Sequence, residues 1–288
     1  MSFAHIALLA IIQGFAELLP VSSSAHVVVA ERLLGLDPAA PAMTLLLVML
    51  HTGTMFAVIV YFWRQWRASY FQSRAAFSRF AGRLIAATAL TGLVGGVLIV
   101  LIEHTLLRGA PHAQIEDLFN HLELIAPALA AAGALTCLAG WWAARGRSQP
   151  AGGEGLSLPQ ASLIGLMQGF SLPFRGFSRS GATISTGLLL GVSRVRAEAF
   201  SFALAVVLTP PVIAREALRL LRADRVAGTA DLSMVAGRCM LGALLAFLAG
   251  LLALKWLSRW LENGRWYLFG IYCLVAAAAV GELYHLGY

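Results

Sequence analysis

The stretch Gln13-Gly14-Phe15-Ala16-Glu17-Leu18-Leu19-Pro20-Val21-Ser22-Ser23-Ser24-Ala25-His26 interrupts otherwise apolar sequence near the N-terminus. A carboxylate, a helix-breaking proline, three consecutive hydroxyls and a histidine must find partners in hydrocarbon, because buried polar groups without them are strongly unfavourable. The run therefore reads as a site and not as a membrane span. The same punctuation recurs as Gln168-Gly169-Phe170-Ser171-Leu172-Pro173-Phe174-Arg175-Gly176-Phe177-Ser178-Arg179-Ser180-Gly181-Ala182-Thr183. Both copies open on Gln-Gly-Phe and pass through Pro and Ser into a small-residue helix start, the mark of an internal repeat.

Around these two runs, 59% of residues are apolar and 12% charged, with a mean hydropathy of +0.77, against about 25% charged in an average soluble domain. That is the composition of a polytopic membrane protein. The net charge of +7 comes from twenty arginines and one lysine against fourteen acids. Its sign alone suits nucleic acid or anionic lipid. The arginines, however, crowd the ends of apolar segments and leave no soluble domain for a nucleic-acid face, so the bilayer is the expected partner and nucleic acid is not. Cys137, Cys239 and Cys273 lie singly in apolar spans, without the paired spacing of a metal or disulfide site, and are expected as small hydrophobes. Met1-Ser2-Phe3-Ala4-His5 carries no basic leader, so no cleaved signal peptide is expected.

Six stretches reach the ~20 apolar residues that cross a bilayer, roughly 42–63, 83–102, 122–143, 197–218, 234–257 and 266–286. Two interrupted regions, 4–35 and 156–193, each hold a short apolar helix, the polar motif and a second short helix. Each half is too short to span, which predicts re-entrant hairpins. The fold class is thus an all-α polytopic membrane protein of two inverted repeats, 1–143 and 156–288, each a re-entrant helical hairpin plus three transmembrane helices. A flexible linker is expected over 144–155. Three crossings per repeat turn the second repeat upside down, the arrangement in which broken helices build a site at the bilayer midplane. Arg64, Arg67, Arg74, Arg79, Arg83, Arg145, Arg147, Arg194, Arg196, Lys255, Arg259 and Arg265 then fall on one side, predicted cytoplasmic, with both termini on the other. Arg215 and Arg219 run against this trend. Gly92, Gly95 and Gly96 permit close helix packing, which allows a homodimer without specifying one.

Ser178-Arg179-Ser180-Gly181-Ala182-Thr183 offers a guanidinium, hydroxyl donors and a glycine where a short helix begins. Backbone N–H groups at a helix start, the positive end of its dipole and an arginine fork together make an oxyanion or phosphate site. In the first motif Pro20 ends one half-helix and one of Ser22, Ser23 and Ser24 caps the next, leaving two hydroxyls to bind or attack. His26 then lies in the first turn, suited to passing protons near neutral pH. Glu17 is placed to orient His26, activate a hydroxyl or hold a cation. His51, in Leu50-His51-Thr52-Gly53-Thr54, is a weaker candidate for pocket lining. In the plainer alternative Ser and Thr only cap helices, Arg179 pairs with Glu17 and His26 is a packing residue. The constellation implies a lipid phosphate reached at bilayer depth, held by Arg179 and the helix starts, with a Ser or His attacking or positioning water.

Glu17-Leu18-Leu19-Pro20-Val21-Ser22-Ser23-Ser24-Ala25-His26 and Gly176-Phe177-Ser178-Arg179-Ser180-Gly181-Ala182-Thr183, followed by Gly187-Leu188-Leu189-Leu190-Gly191 and Phe200-Ser201-Phe202, resemble the bacterial undecaprenyl pyrophosphate phosphatase family, also called the bacitracin-resistance protein family. The resemblance covers nearly the whole chain. It implies an inner-membrane phosphatase that removes the terminal phosphate of the polyisoprenoid pyrophosphate carrier of cell-wall synthesis, with its site opening to the periplasm. It assigns Ser23 to the nucleophile or phosphate-binding position, His26 to the acid/base position, Glu17 to the second of two glutamates and Arg179 to the pyrophosphate. Ser22, Ser24, Ser178, Ser180 and Thr183 are supporting donors, and a divalent cation, magnesium or calcium, is implied with Glu17 as its ligand.

Two positions depart from the family pattern. Gln13 stands for the first glutamate, and Arg175 for the proline of its Pro-Gly-x-Ser-Arg-Ser-Gly motif; both join the expected substrate-binding set. Together they make the site more positive by two charges, which predicts weaker dependence on a metal or a different polyprenyl phosphate substrate. The competing reading from another class is a transporter or flippase for a phosphorylated lipid, since inverted repeats with broken helices are also transporter architecture.

Overall fold

The computed structural model describes residues 2–37, 40–106, 122–145, 155–227, 232–261 and 265–287. Among the described residues it is all helical. In order come α1 (Phe3–Ala16), α2 (Ser23–Leu33), α3 (Pro41–Tyr70), α4 (Arg74–Leu106), α5 (Leu122–Ala144), α6 (Leu158–Ser171), α7 (Arg179–Leu189), α8 (Arg194–Ala227), α9 (Leu232–Leu261) and α10 (Tyr267–His285). The six long ones, α3, α4, α5, α8, α9 and α10, are long and apolar enough to cross a bilayer, and each contains one of the expected spans or overlaps nearly all of it. Ile85, Leu93, Val97, Met240, Leu252 and Val275 point outward from them. Lipid tails are the solvent that leaves such a surface without penalty.

The two short pairs share one local design. α1 and α6 each have 14 residues, and α2 and α7 each have 11. A 14-residue helix is about 21 Å long, short of a ~30 Å hydrocarbon core. Serine caps open the outer helices: the Ser2 side chain accepts from the His5 amide, and Ser157 forms a capping box with Gln160. At the inner helix starts stand Ser22 (φ 66°) and Ser178 (φ 49°), the two non-glycine residues with positive φ among those described. That conformation presses Cβ on the backbone, and it turns the chain sharply enough for two half-helices to meet head to tail. Each pair also ends on a left-handed glycine, Gly35 (φ 69°) and Gly191 (φ 78°).

Each outer half-helix docks on a span of the other half of the chain. α1 packs on α9, where a Cβ on Gly14 would lie 2.4 Å from the Ala249 Cβ. α6 packs on α4, where a Cβ on Gly165 would lie 2.3 Å from the Ala87 carbonyl oxygen. The Thr91 hydroxyl donates to the Gly165 carbonyl (2.8 Å) and receives the Gln168 amide (3.2 Å), so the Gln of the second motif is a seam between helices. α3 packs against α8 and α9, and α5 against α10 and α7. Cys239 and Cys273 are buried and Cys137 is half-buried, all with free thiols. The linker expected over 144–155 falls largely outside the described residues, as does Arg147.

Candidate active site

Where the two hairpin turns approach each other, a cavity of about 260 Å³ opens between them, α3 and α8. Its polar end carries Glu17, Ser24, His51, Arg175, Ser178 and Arg179; its apolar walls include Leu47, Val48, Met55 and Val58 from α3 and Phe202, Val206 and Val212 from α8. A charged head group with an apolar tail fits such a division of surface.

Glu17 is the hub. Just beyond the end of α1, its Oε1 accepts from Arg179 Nη2 at 2.5 Å. Its Oε2 accepts from the Ser23 hydroxyl at 2.5 Å and from Gln13 Nε2 at 2.9 Å, with His51 Nε2 3.3 Å away. Gln13 lies four residues earlier, on the same face of α1, and is fully buried. Turned the other way, its oxygen would face the carboxylate, so the amide orientation follows from the charge it serves. Ser23, the first residue of α2, therefore presents its hydroxyl to a carboxylate that can take its proton. Ser24 lines the cavity beside it, with its Oγ 3.5 Å from the Ser22 Oγ.

The second hairpin supplies positive charge. Ser178 caps α7, accepting from the Gly181 amide at 3.1 Å. Arg179, the first residue of that helix, keeps Nη1 without a hydrogen-bond partner while Nη2 holds Glu17. A guanidinium has five donors, so it can grip an anion without releasing the carboxylate. Arg175 lines the same cavity, and its charge also acts on the buried Glu31 behind it. Thr183 and Ser180 are buried outside the lining. Thr183 donates to the Arg179 carbonyl (2.8 Å) and meets the Ser201 hydroxyl at 2.6 Å, fastening α7 to α8.

The histidines divide differently from the sequence expectation. His26 does not line this cavity. Its Nδ1 donates to the Ser22 carbonyl (2.8 Å), so Nε2 is the acceptor for the Tyr272 hydroxyl (2.7 Å). The ring stacks on Tyr272 beside a separate, apolar cavity between α2, α5 and α10. His51 occupies the place beside the carboxylate. Its Nδ1 donates to the Leu47 carbonyl (2.7 Å), which directs Nε2 at Glu17, where it donates only as the imidazolium. The signal for His51 was the Leu50-His51-Thr52-Gly53-Thr54 run. Gly53 lets α3 press on α9, where a Cβ would lie 2.0 Å from the Ala243 carbonyl oxygen, and this close approach helps set the height of His51.

Among the described residues Glu17 is the one carboxylate lining the cavity, and both its oxygens are engaged by protein donors. A hard cation held there would take the rest of its oxygen shell from water and phosphate.

The model of the family described as bacitracin resistance protein BacA matches residues 6–279. Undecaprenyl-diphosphatase 2 of Acinetobacter baylyi is 55% identical over 285 residues, 97% of each chain. The undecaprenyl-diphosphatases of Desulfosudis oleivorans and Rhodopirellula baltica are 36% and 33% identical, over 93% and 96% of each chain. With its two hairpin motifs in order and matched over nearly its whole length, the chain belongs to the bacitracin resistance protein BacA family.

Proposed function

We propose that the chain is an undecaprenyl-diphosphatase, an integral-membrane hydrolase that releases inorganic phosphate from a polyprenyl pyrophosphate and so returns the lipid carrier to cell-wall synthesis. The observation that carries this is the hydrogen bond from the Ser23 hydroxyl, buried just outside the lining, to Glu17, which lines the cavity with Arg179 and Arg175. The names of the relatives favour hydrolysis over the transport alternative.

In this reading Arg179, Arg175 and the α7 helix start hold the pyrophosphate, and the prenyl tail leaves between α3 and α8. Ser23 Oγ attacks the terminal phosphorus and passes its proton to Glu17. The bond from that phosphorus to the bridging oxygen breaks, and the lipid monophosphate leaves with the proton from Glu17. Water then attacks the phosphoserine; Glu17 takes the water's proton and returns it to Ser23 Oγ as inorganic phosphate departs. Charge gathers on the oxygens being transferred, which is where fixed guanidinium and N–H groups lower the barrier. The membrane is the bacterial inner membrane, with the cavity open to the periplasmic side, as the arginine distribution supports.

The test is phosphate release from C55 pyrophosphate by purified protein, wild type against Ser23→Ala. A fall of about 10³ or more is expected on loss of the nucleophile. Undiminished release by the variant overturns the assignment of Ser23.

A further inference from the structure

Resting on the phosphatase reading, we infer that Glu31 is a positioning residue: from the first hairpin its carboxylate holds Arg175, in the turn of the second, with the guanidinium presented to the pyrophosphate.

Ser24, Val28 and Glu31 stand at i, i+4 and i+7, on one face of α2. Ser24 opens on the cavity, and Val28 is buried in one cluster with Leu122 and Ile125 of α5. The turn of the second hairpin lands on the same part of α5. Gly176 (φ 101°) presses on it so closely that a Cβ there would lie 2.6 Å from the Ile125 carbonyl oxygen. Any other residue would be both strained and in collision, so the turn is pinned where it stands. Glu31, one turn beyond Val28, and Arg175, the residue before Gly176, are thereby brought together near the start of α5, close enough for the guanidinium charge to act on the carboxylate.

The backbone of Glu31 is fixed as well. The left-handed Gly35 closes α2, and the Leu36 amide returns to the Glu31 carbonyl at 2.8 Å. The residue is 1% exposed, and its Oε2 has no hydrogen-bond partner. A carboxylate buried to this degree persists where a positive charge compensates it. Arg175 supplies the attraction, against repulsion from Asp37. Arg175 lines the cavity and Glu31 does not, so a phosphate there meets the guanidinium with the carboxylate behind it. An arginine is long and rich in rotamers, and one already anchored gives up less freedom when it grips an anion. The carboxylate also repels the anion, but from the far side of the guanidinium, and this is the weaker effect.

The experiment measures phosphate release from C55 pyrophosphate by the full chain in detergent, at about pH 8, where carboxylates are ionised. Arg175→Ala is expected to raise KM by about tenfold or more, and Glu31→Gln by about threefold to tenfold with kcat within about twofold. The double variant is expected to match the KM of Arg175→Ala within about twofold, because Glu31 acts through Arg175. Glu31→Asp, which keeps the charge, stays within about threefold of wild type in KM. An unchanged or lowered KM for Glu31→Gln, fully multiplying effects in the double variant, or a Glu31→Asp as impaired as Glu31→Gln overturns the inference. Binding of inorganic pyrophosphate by the same proteins reads the inference apart from hydrolysis: Glu31→Gln is expected to weaken it by about threefold or more, and an equal Kd overturns it. Pyrophosphate bound in that order with no phosphate released by the wild type overturns the phosphatase reading instead.

Discussion

Replacing Glu17 by Gln keeps the shape of the hub and removes its charge. Four groups converge on this side chain, Arg179 on one oxygen and Ser23, Gln13 and His51 on the other. An amide has an acceptor at one end only. With its oxygen toward Arg179, its NH₂ meets the Gln13 amide, which must flip to offer its unpartnered Oε1; turned round, it sets NH₂ against the guanidinium. Either way no group remains to take the Ser23 proton, and loss of a general base lowers turnover by about 10²–10⁴. Removing one partner of a buried ion pair costs about 3–5 kcal/mol when both are dry. The Arg179 side chain keeps 22% of its exposure and that of Glu17 10%, so about 2 kcal/mol is expected here, part of the penalty being relieved by solvent. Phosphate release under saturating C55 pyrophosphate reads the first effect, and thermal unfolding in detergent reads the second. Turnover within about tenfold of wild type would refute Glu17 as the base.

Other perturbations separate the remaining parts. His51→Ala is expected to lower kcat by about tenfold or more through the carboxylate it faces, whereas His26→Ala, acting on a hydrogen bond to Tyr272 away from the cavity, lowers thermal stability by about 1 kcal/mol with kcat nearly unchanged. Side-by-side kinetics decide, and the reverse order of effects on kcat contradicts the assignment. Gly53→Ala forces a methyl to within 2.0 Å of the Ala243 carbonyl oxygen and is expected to destabilise by about 1–3 kcal/mol, seen as a lower unfolding temperature; an unchanged temperature argues against that close approach.

The spans and the two pairs of short helices were legible because each depends on local sequence: length of apolar run, position of Pro20, hydroxyls at a helix start; the Glu17–Arg179 pair joins residues 162 apart and entered only in the plainer alternative. Which side of a half-helix a residue faces is set by what packs there. Ser24 lines the cavity, and two residues on, about 200° round the helix, His26 points to α10. The period alone holds that consequence, but only once Ser24 is known to face the site. His51 lies on a span of ordinary apolar sequence, and only the folding of the first hairpin against α3 and α9 brings it to Glu17. Thr183 reads as a phosphate donor beside Arg179, yet one turn along α7 it meets Ser201 of α8 instead.

The seating of Gly14 on Ala249 and Gly250 has a consequence for biosynthesis. The first hairpin leaves the ribosome long before its seat on α9 exists, and Glu17 is translated long before Arg179. Until then its carboxylate lacks its ionic partner, so the hairpin has reason to wait at the headgroup level and settle last. The second hairpin, seated on α4, finds its support already in place. Cut between α5 and α6, neither half would carry both a hairpin and that hairpin's seat. The fragments would need each other, and coexpression of the two should restore what neither makes alone.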